Sequence, residues 1–191
     1  VIEDLDEESL RVIAAKLREQ GTEAVAINFL HSYINGEHER RARDILGEEL
    51  PNAYVSISSD ILPEVREFER TSTTVVNAYL GPVLDRYLSA LSERLLDFGY
   101  DGPMLITHSG GGVMSVEAAR EIPARICQSG PAAGVMAGAN LGRATDRPNV
   151  INLDVGGTSA DVSLARGGRP LIRAEWNINF NITINFPSVD V

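Results

Sequence analysis

The sequence predicts an α/β protein in which a parallel or mixed sheet with crossover helices is followed by a strand-rich segment. Three observations carry this. Helical and strand patterns alternate through the first 58 residues, a long stretch with a broad apolar stripe covers 72–98, and beyond residue 148 short strand patterns follow one another directly. With 191 residues, 43% hydrophobic and 23% charged, the chain is long enough to bury a sizeable core.

Residues 8–20 place Leu10, Val12, Ile13, Ala14 and Leu17 at helical spacing, and Gly21 ends the run. Residues 23–30 are short, apolar and rich in branched side chains, as a buried strand is. Residues 36–49 form a charged amphipathic helix. Arg40, Arg41 and Arg43 sit there among Glu37, Glu39 and Asp44, which reads as a solvated face. Residues 54–58 alternate like a strand, so the order implies parallel pairing through a crossover helix. In 72–98, Gly81-Pro82 predicts a kink or an interruption. Residues 103–107 read as a strand, 108–112 as a loop, 114–121 as a short helix, and 130–142 as a helix whose Ala and Gly content allows close packing. Residues 150–153 and 161–165 are strands around a turn, 170–175 a further strand, and 177–186 a strictly alternating, half-buried strand. The organisation changes near residue 148, which divides the chain into 1–148, the remainder of a first α/β lobe with its long helix, and 149–191, the start of a second lobe.

The formal charge is −10 and no Lys/Arg cluster stands apart, so no nucleic-acid partner is indicated. One cysteine, Cys127, excludes an internal disulfide, reads as a small buried hydrophobe, and suits a cytoplasmic setting. No apolar run approaches the roughly 20 residues that span a bilayer. The chain opens on Val1 and closes on Ser188-Val189-Asp190-Val191, which reads as an internal piece of a longer polypeptide.

Four segments could carry chemistry. In Asp154-Val155-Gly156-Gly157-Thr158-Ser159-Ala160-Asp161, two glycines leave the backbone bare and a run of free N–H groups makes an anion-sized concavity. Thr158 and Ser159 add hydroxyl donors. Asp154, with help from Asp161, is placed to hold a hydrated divalent cation. The competing reading is a plain hairpin turn. The loop His108-Ser109-Gly110-Gly111-Gly112 follows a buried strand, where α/β folds place ligands; it is otherwise a flexible connection, with His108 either catalytic or merely hydrogen-bonding. Gln128-Ser129-Gly130-Pro131 opens a helix, either as an anion site or as a cap built on Ser129. Glu67-Phe68-Glu69-Arg70-Thr71-Ser72-Thr73-Thr74 combines capping by Thr71 or Ser72 with charged side chains at a lobe edge that contact substrate or partner.

Taken together these segments resemble the hydantoinase A/5-oxoprolinase family. The resemblance rests on Asp154-Val155-Gly156-Gly157-Thr158-Ser159-Ala160-Asp161-Val162-Ser163-Leu164, on Glu69-Arg70-Thr71-Ser72-Thr73-Thr74-Val75-Val76-Asn77-Ala78-Tyr79, on Ser109-Gly110-Gly111-Gly112-Val113-Met114-Ser115 and on Ser129-Gly130-Pro131-Ala132-Ala133-Gly134-Val135, in the family's order. It implies an actin-like ATPase fold of the ribonuclease H-like type, here partial, and an ATP-dependent opening of a cyclic amide such as a hydantoin or 5-oxoproline. It implies ATP with Mg2+ (or Mn2+) as cofactors, a hydantoinase B-type partner subunit or domain, and an oligomer. Gly156, Gly157, Thr158 and Ser159, with Gly111 and Gly112, would then hold nucleotide, Asp154 would be catalytic, and Asp154 and Asp161 would hold the metal. The family's first phosphate hairpin has no counterpart here, so the chain alone would be inactive. The family's Asn in the second loop is replaced by Gly110. A sugar kinase of the same superfold and a non-catalytic reactivating chaperone are the competing readings.

Overall fold

The computed structural model describes residues 3–179 and 182–191. Helix α1 (Glu7–Glu19) starts where Asp6 accepts a hydrogen bond from the Ser9 amide at 3.0 Å. It packs on α2 (Glu37–Glu49), the crossover between β1 (Ala24–Ile27) and β2 (Tyr54–Ile57), which pair in parallel with Ala24 opposite Tyr54 and Ile27 opposite Ile57. Ala14, Ile27, Ala42, Leu46, Leu50 and Ile57 close this core. The alternating α/β start is therefore as expected.

Glu39 is not. It lies on the buried side of α2, at 0% exposure, and accepts from the amides of Phe29 and Ser59, both at 2.7 Å, and from the Ser58 hydroxyl at 2.7 Å. Arg70 is equally buried. Its guanidinium reaches Ser58 Oγ (3.1 Å), Asn28 Oδ1 (3.2 Å), the Phe29 carbonyl (2.8 Å) and the Glu64 carbonyl (3.1 Å). The two charges thus meet through Ser58 at the carboxyl ends of β1 and β2, with short α3 (Ser58–Ile61) beside them.

Helix α4 (Glu67–Asp97) begins a turn earlier than its apolar stripe, so Thr71 and Ser72 lie inside it and cap nothing. It also runs unbroken through Gly81-Pro82. A methyl at Gly81 would overlap the Tyr54 ring, so this glycine serves close approach to β2 rather than a break. Strand β3 (Leu105–Thr107) pairs with β4 (Val113–Ser115), an unpredicted strand that delays α5 (Val116–Glu121) until Ser115 caps it, accepting from Ala118 N at 3.2 Å. A 3-10 turn (Pro123–Ile126) leads to α6 (Ser129–Ala144). Its N-cap is Gln128, left-handed at φ 62° and without a side-chain capping bond, so the Ser129 cap is not formed.

The rest is strand. β5 (Val150–Val155), β6 (Ala160–Arg166) and β7 (Arg169–Pro170) make an antiparallel sheet, while β8 (Ile172–Arg173) leaves it to pair with β11 (Ser188–Val189). The single strand expected over 177–186 is instead a hairpin of β9 (Trp176–Asn179) and β10 (Ile182–Ile184); the intervening Phe180 and Asn181 lie outside the described residues. β10 docks on α4 through hydroxyls. Ser72 Oγ donates to the Thr183 carbonyl (2.8 Å) and accepts from its amide (3.0 Å), and Thr73 Oγ1 accepts from Asn185 N (3.1 Å). Trp176, Ile184 and Phe186 share a core with Ile61, Leu62, Val76 and Ala124. Among the described residues no helix is long and apolar enough to cross a membrane.

Candidate functional site

The β5–β6 ladder places Asp154 directly opposite Asp161 and Val155 opposite Ala160, and the Gly156 amide donates to the Ser159 carbonyl at 2.9 Å. The turn is therefore Gly156-Gly157-Thr158-Ser159, and its tip is exposed. Neither glycine takes a positive φ. A tight I′ hairpin would need that conformation at both central residues, so the turn's backbone is not what demands glycine here. What the glycines leave is uncovered backbone, with open space around Gly157.

Strand alternation turns Val150, Asn152 and Asp154 toward α6, and Ile151, Leu153 and Val155 away from it to an exposed face. The helix meets the strand with Gly134, Gly138 and Gly142, one turn apart. A methyl at Gly142 would lie 3.1 Å from Val150 Cγ2, one at Gly138 would overlap the Asn152 amide, and one at Gly134 would lie 3.7 Å from Asp154 Oδ2. Glycine at these positions lets the strand lie directly on the helix backbone, and the Asp154 carboxylate comes to rest over the first turns of α6. No third His, Cys, Asp or Glu joins Asp154 and Asp161 in a metal-binding cluster among the described residues.

The loop 108–112 reaches the same helix. It is a β-hairpin loop, not a strand-to-helix connection: His108 N donates to the Gly112 carbonyl (3.0 Å) and Gly111 N to the His108 carbonyl (2.9 Å). Gly111 is left-handed at φ +81°, and a side chain there would meet Met136 of α6 at 2.7 Å. From the other side Val189 N donates to the Ser109 carbonyl at 2.8 Å. Gly111 and Gly112 are thus half-buried, against Met136 and His108 respectively, whereas Gly156 and Gly157 are exposed. His108 lies across both flanking glycines. Its Nδ1 accepts from Gly110 N at 3.1 Å, and a side chain at Gly110 would approach Cε1 to 2.9 Å. The imidazole and the Pro187 carbonyl occupy the space that a side chain at 110 would enter. Burial, and then the nearby Arg125, lower the His108 pKa. The structure gives His108 a hydrogen-bonding role within the loop.

Three segments far apart in sequence therefore converge on the start of α6: 108–112, 129–134 and 154–161. The fourth, 67–74, does not join them; it is the joint between β1, β2 and β10. Asn77 extends that joint, donating to Ser56 Oγ (3.0 Å) and the Glu121 carbonyl (3.2 Å) and accepting from Ala124 N (3.1 Å). Cys127 is half-buried against the core around Val76, and burial pushes its thiol pKa up.

A glycine-rich β-hairpin seated on a glycine-faced helix, behind a parallel βαβ unit, makes this α/β chain part of an actin-like ATPase fold. It superposes on the nucleotide-free acetone carboxylase, from a study of ATP-dependent acetone carboxylation, with a TM-score of 0.86 at 31% identity, covering 99% of this chain and 27% of that one. An ATP-dependent caprolactamase from Pseudomonas jessenii gives 0.86 at 35% identity with the same coverage. The chain belongs to the hydantoinase/oxoprolinase family: residues 70–191 match that family's model, and residues 1–50 match the model of its N-terminal region. Relatives include an uncharacterised protein of Methanocaldococcus jannaschii, 37% identical over 100% of this chain and 30% of that protein. The caprolactamase subunit alpha of Pseudomonas jessenii is 39% identical over 86% of this chain and 24% of its own, and the 5-oxoprolinase of Saccharomyces cerevisiae is 34% identical over 100% and 14%. The chain spans less than a third of the length of each of these relatives.

Proposed function

We propose that this chain supplies one phosphate-binding hairpin of an enzyme that couples ATP cleavage to the opening of a cyclic amide. The observation that carries the reading is the turn 156–159, where two glycines remain although neither has a positive φ. Bare backbone in an ordinary conformation is useful where a ligand must approach closely. Gly157 offers an amide donor, the Gly156 amide being taken by the Ser159 carbonyl; Thr158 and Ser159 offer hydroxyls, and the facing carboxylates of Asp154 and Asp161 suit a hydrated Mg2+ or Mn2+. Gly111 and Gly112 act at one remove, fixing the loop against α6. ATP would transfer its γ-phosphoryl group to the amide oxygen and leave as ADP; water would then add to the activated carbon, the C–N bond would break with the nitrogen leaving as the amine, and a second water would release the phosphate. The chain's own part is to orient the phosphates and to place charge beside them.

Residues 149–191 open the second lobe in this reading. Relatives named as subunits support a partner subunit in a larger assembly, and in this reading that partner is of the hydantoinase B type. The match to acetone carboxylase supports a second reading, in which the same activation serves carboxylation of a ketone. The test uses the natural polypeptide that contains this chain, with its partner subunit. ADP release is followed with 5-oxoproline, a lactam and a hydantoin, and separately with acetone and bicarbonate. Asp154→Ala should lower ATP-coupled turnover by about a hundredfold or more, the scale set by removing one preorganised electrostatic group, while the fold persists. Unchanged turnover in that variant removes Asp154 from the site.

A further inference from the structure

A second site lies beside the loop 108–112. A pocket of about 370 Å³ opens there, and none of its lining residues belongs to the β5–β6 hairpin. One wall is polar: His108, Ser109 and Arg125. The other is apolar: Ile172, Phe186 and Pro187. In a chain of net charge −10 this wall carries no carboxylate. The Arg125 guanidinium lies 4.8 Å from the centroid of the Phe186 ring, and no carboxylate among the described residues pairs with it. The Arg125 carbonyl accepts from Ser109 N at 2.8 Å, which ties the 3-10 turn to the loop and puts both residues on one rim. Ser109 is only 3% exposed, yet its hydroxyl makes no hydrogen bond to any described residue. Ser109 lines the pocket, and its hydroxyl is free to donate to an acceptor that enters there.

We infer that this pocket binds a small organic carboxylate, with Arg125 holding the carboxylate, Ser109 donating its hydroxyl, and Ile172, Phe186 and Pro187 enclosing a short carbon body. A planar guanidinium fork matches a carboxylate in two-point geometry. The apolar wall favours an organic acid over inorganic phosphate. His108 reports on the site: its Nδ1 accepts from Gly110 N, so the ring is neutral with its proton on Nε2. An anion arriving nearby favours the protonated ring. The inference does not rest on the nucleotide reading and is tested without nucleotide.

The experiment titrates the natural polypeptide that contains this chain with butyrate, with its neutral counterpart butyramide and with inorganic phosphate, following amide and His108 ring resonances. Butyrate should shift Ser109, Gly110 and the His108 ring and raise the His108 titration midpoint. Butyramide should bind at least tenfold more weakly. Arg125→Met keeps the length and the stacking on Phe186, and should weaken butyrate by about tenfold to a hundredfold, the scale of a hydrogen bond to a charged group. Ser109→Ala should weaken it by a smaller factor. Absence of butyrate binding, equal binding of butyramide, or undiminished binding to Arg125→Met overturns the proposal. So does phosphate binding more tightly than butyrate. The butyramide comparison is made on the unaltered chain, so it decides the question even if a variant does not fold.

Discussion

Replacing Arg70 by alanine should remove a large part of the chain's stability. The guanidinium is wholly buried and bridges α4 to the ends of β1 and β2, to the Phe29 and Glu64 carbonyls and to Ser58. Truncation leaves Asn28 Oδ1, Ser58 Oγ and two carbonyls without this donor, and takes away the positive charge that pairs with Glu67 at 3.2 Å. Breaking a buried charged arrangement by deleting one member costs about 3–5 kcal/mol. For a chain of this size each kcal/mol moves the melting midpoint by about 2–4 °C, so Arg70→Ala should melt roughly 6–20 °C lower. Arg70→Lys keeps the charge but not the fork, and should fall between. Calorimetry and urea denaturation of the three proteins measure this. Arg41, whose pairing with Glu7 is exposed, is the control, and its alanine variant should stay near the parent. If Arg70→Ala loses less than about 1 kcal/mol, the claim that 67–74 is the structural joint of the fold is wrong.

Glycines of α2 and α6 should respond with opposite signs. Gly47→Ala, with nothing near the added methyl, should gain about 0.5–1 kcal/mol from helix preference, whereas Gly138→Ala meets the Asn152 amide and should lose about 1–3 kcal/mol through overpacking; urea midpoints compare them. Glu39 gives an acid limb. Burial alone would raise its pKa, but the Phe29 and Ser59 amides and the Ser58 hydroxyl hold it below the usual 4.5. Its contribution is therefore present above pH 4.5 and lost as pH falls through the lowered value, and Glu39→Gln should flatten the stability profile there. His108 acts higher. Its pKa is lowered from 6.5, so the unfolded chain takes up the proton first and stability should decline as pH drops below 6.5, a slope that His108→Gln removes.

Much of this was legible in the residues, for reasons that differ by element. The parallel unit of β1, α2 and β2 follows from hydrophobic patterning, which burial enforces locally. The hairpin at 154–161 was readable because its glycines and acids are adjacent in sequence. Gly134, Gly138 and Gly142 also stand at a visible four-residue spacing, but only β5 reveals what they are for. Glu39 carried no such signal. It sits among arginines like any solvated acid, and its burial is decided by amides from two other elements. The alternation of 177–186 correctly marked β structure but could not show the reversal between β9 and β10, and Gly81-Pro82 misled because its break-like composition answers to the Tyr54 ring. Arg125 drew no attention, since its partners Phe186 and Ser109 come from distant segments.

The seating of β5 on α6 sets two rulers of unequal pitch side by side. Four helical residues advance about 6 Å, two strand residues about 6.6–6.8 Å. Gly142 against Val150, Gly138 against Asn152 and Gly134 against Asp154 therefore drift by about 0.7 Å per step, so only a few divisions can coincide. An added methyl would overlap the Asn152 amide at Gly138 and reach only ordinary contact, 3.7 Å from Asp154 Oδ2, at Gly134. The vernier clamps the hairpin near its base and leaves clearance under its tip. A methyl is admitted at 134 and refused at 138, and the slack falls beside the Asp154 carboxylate.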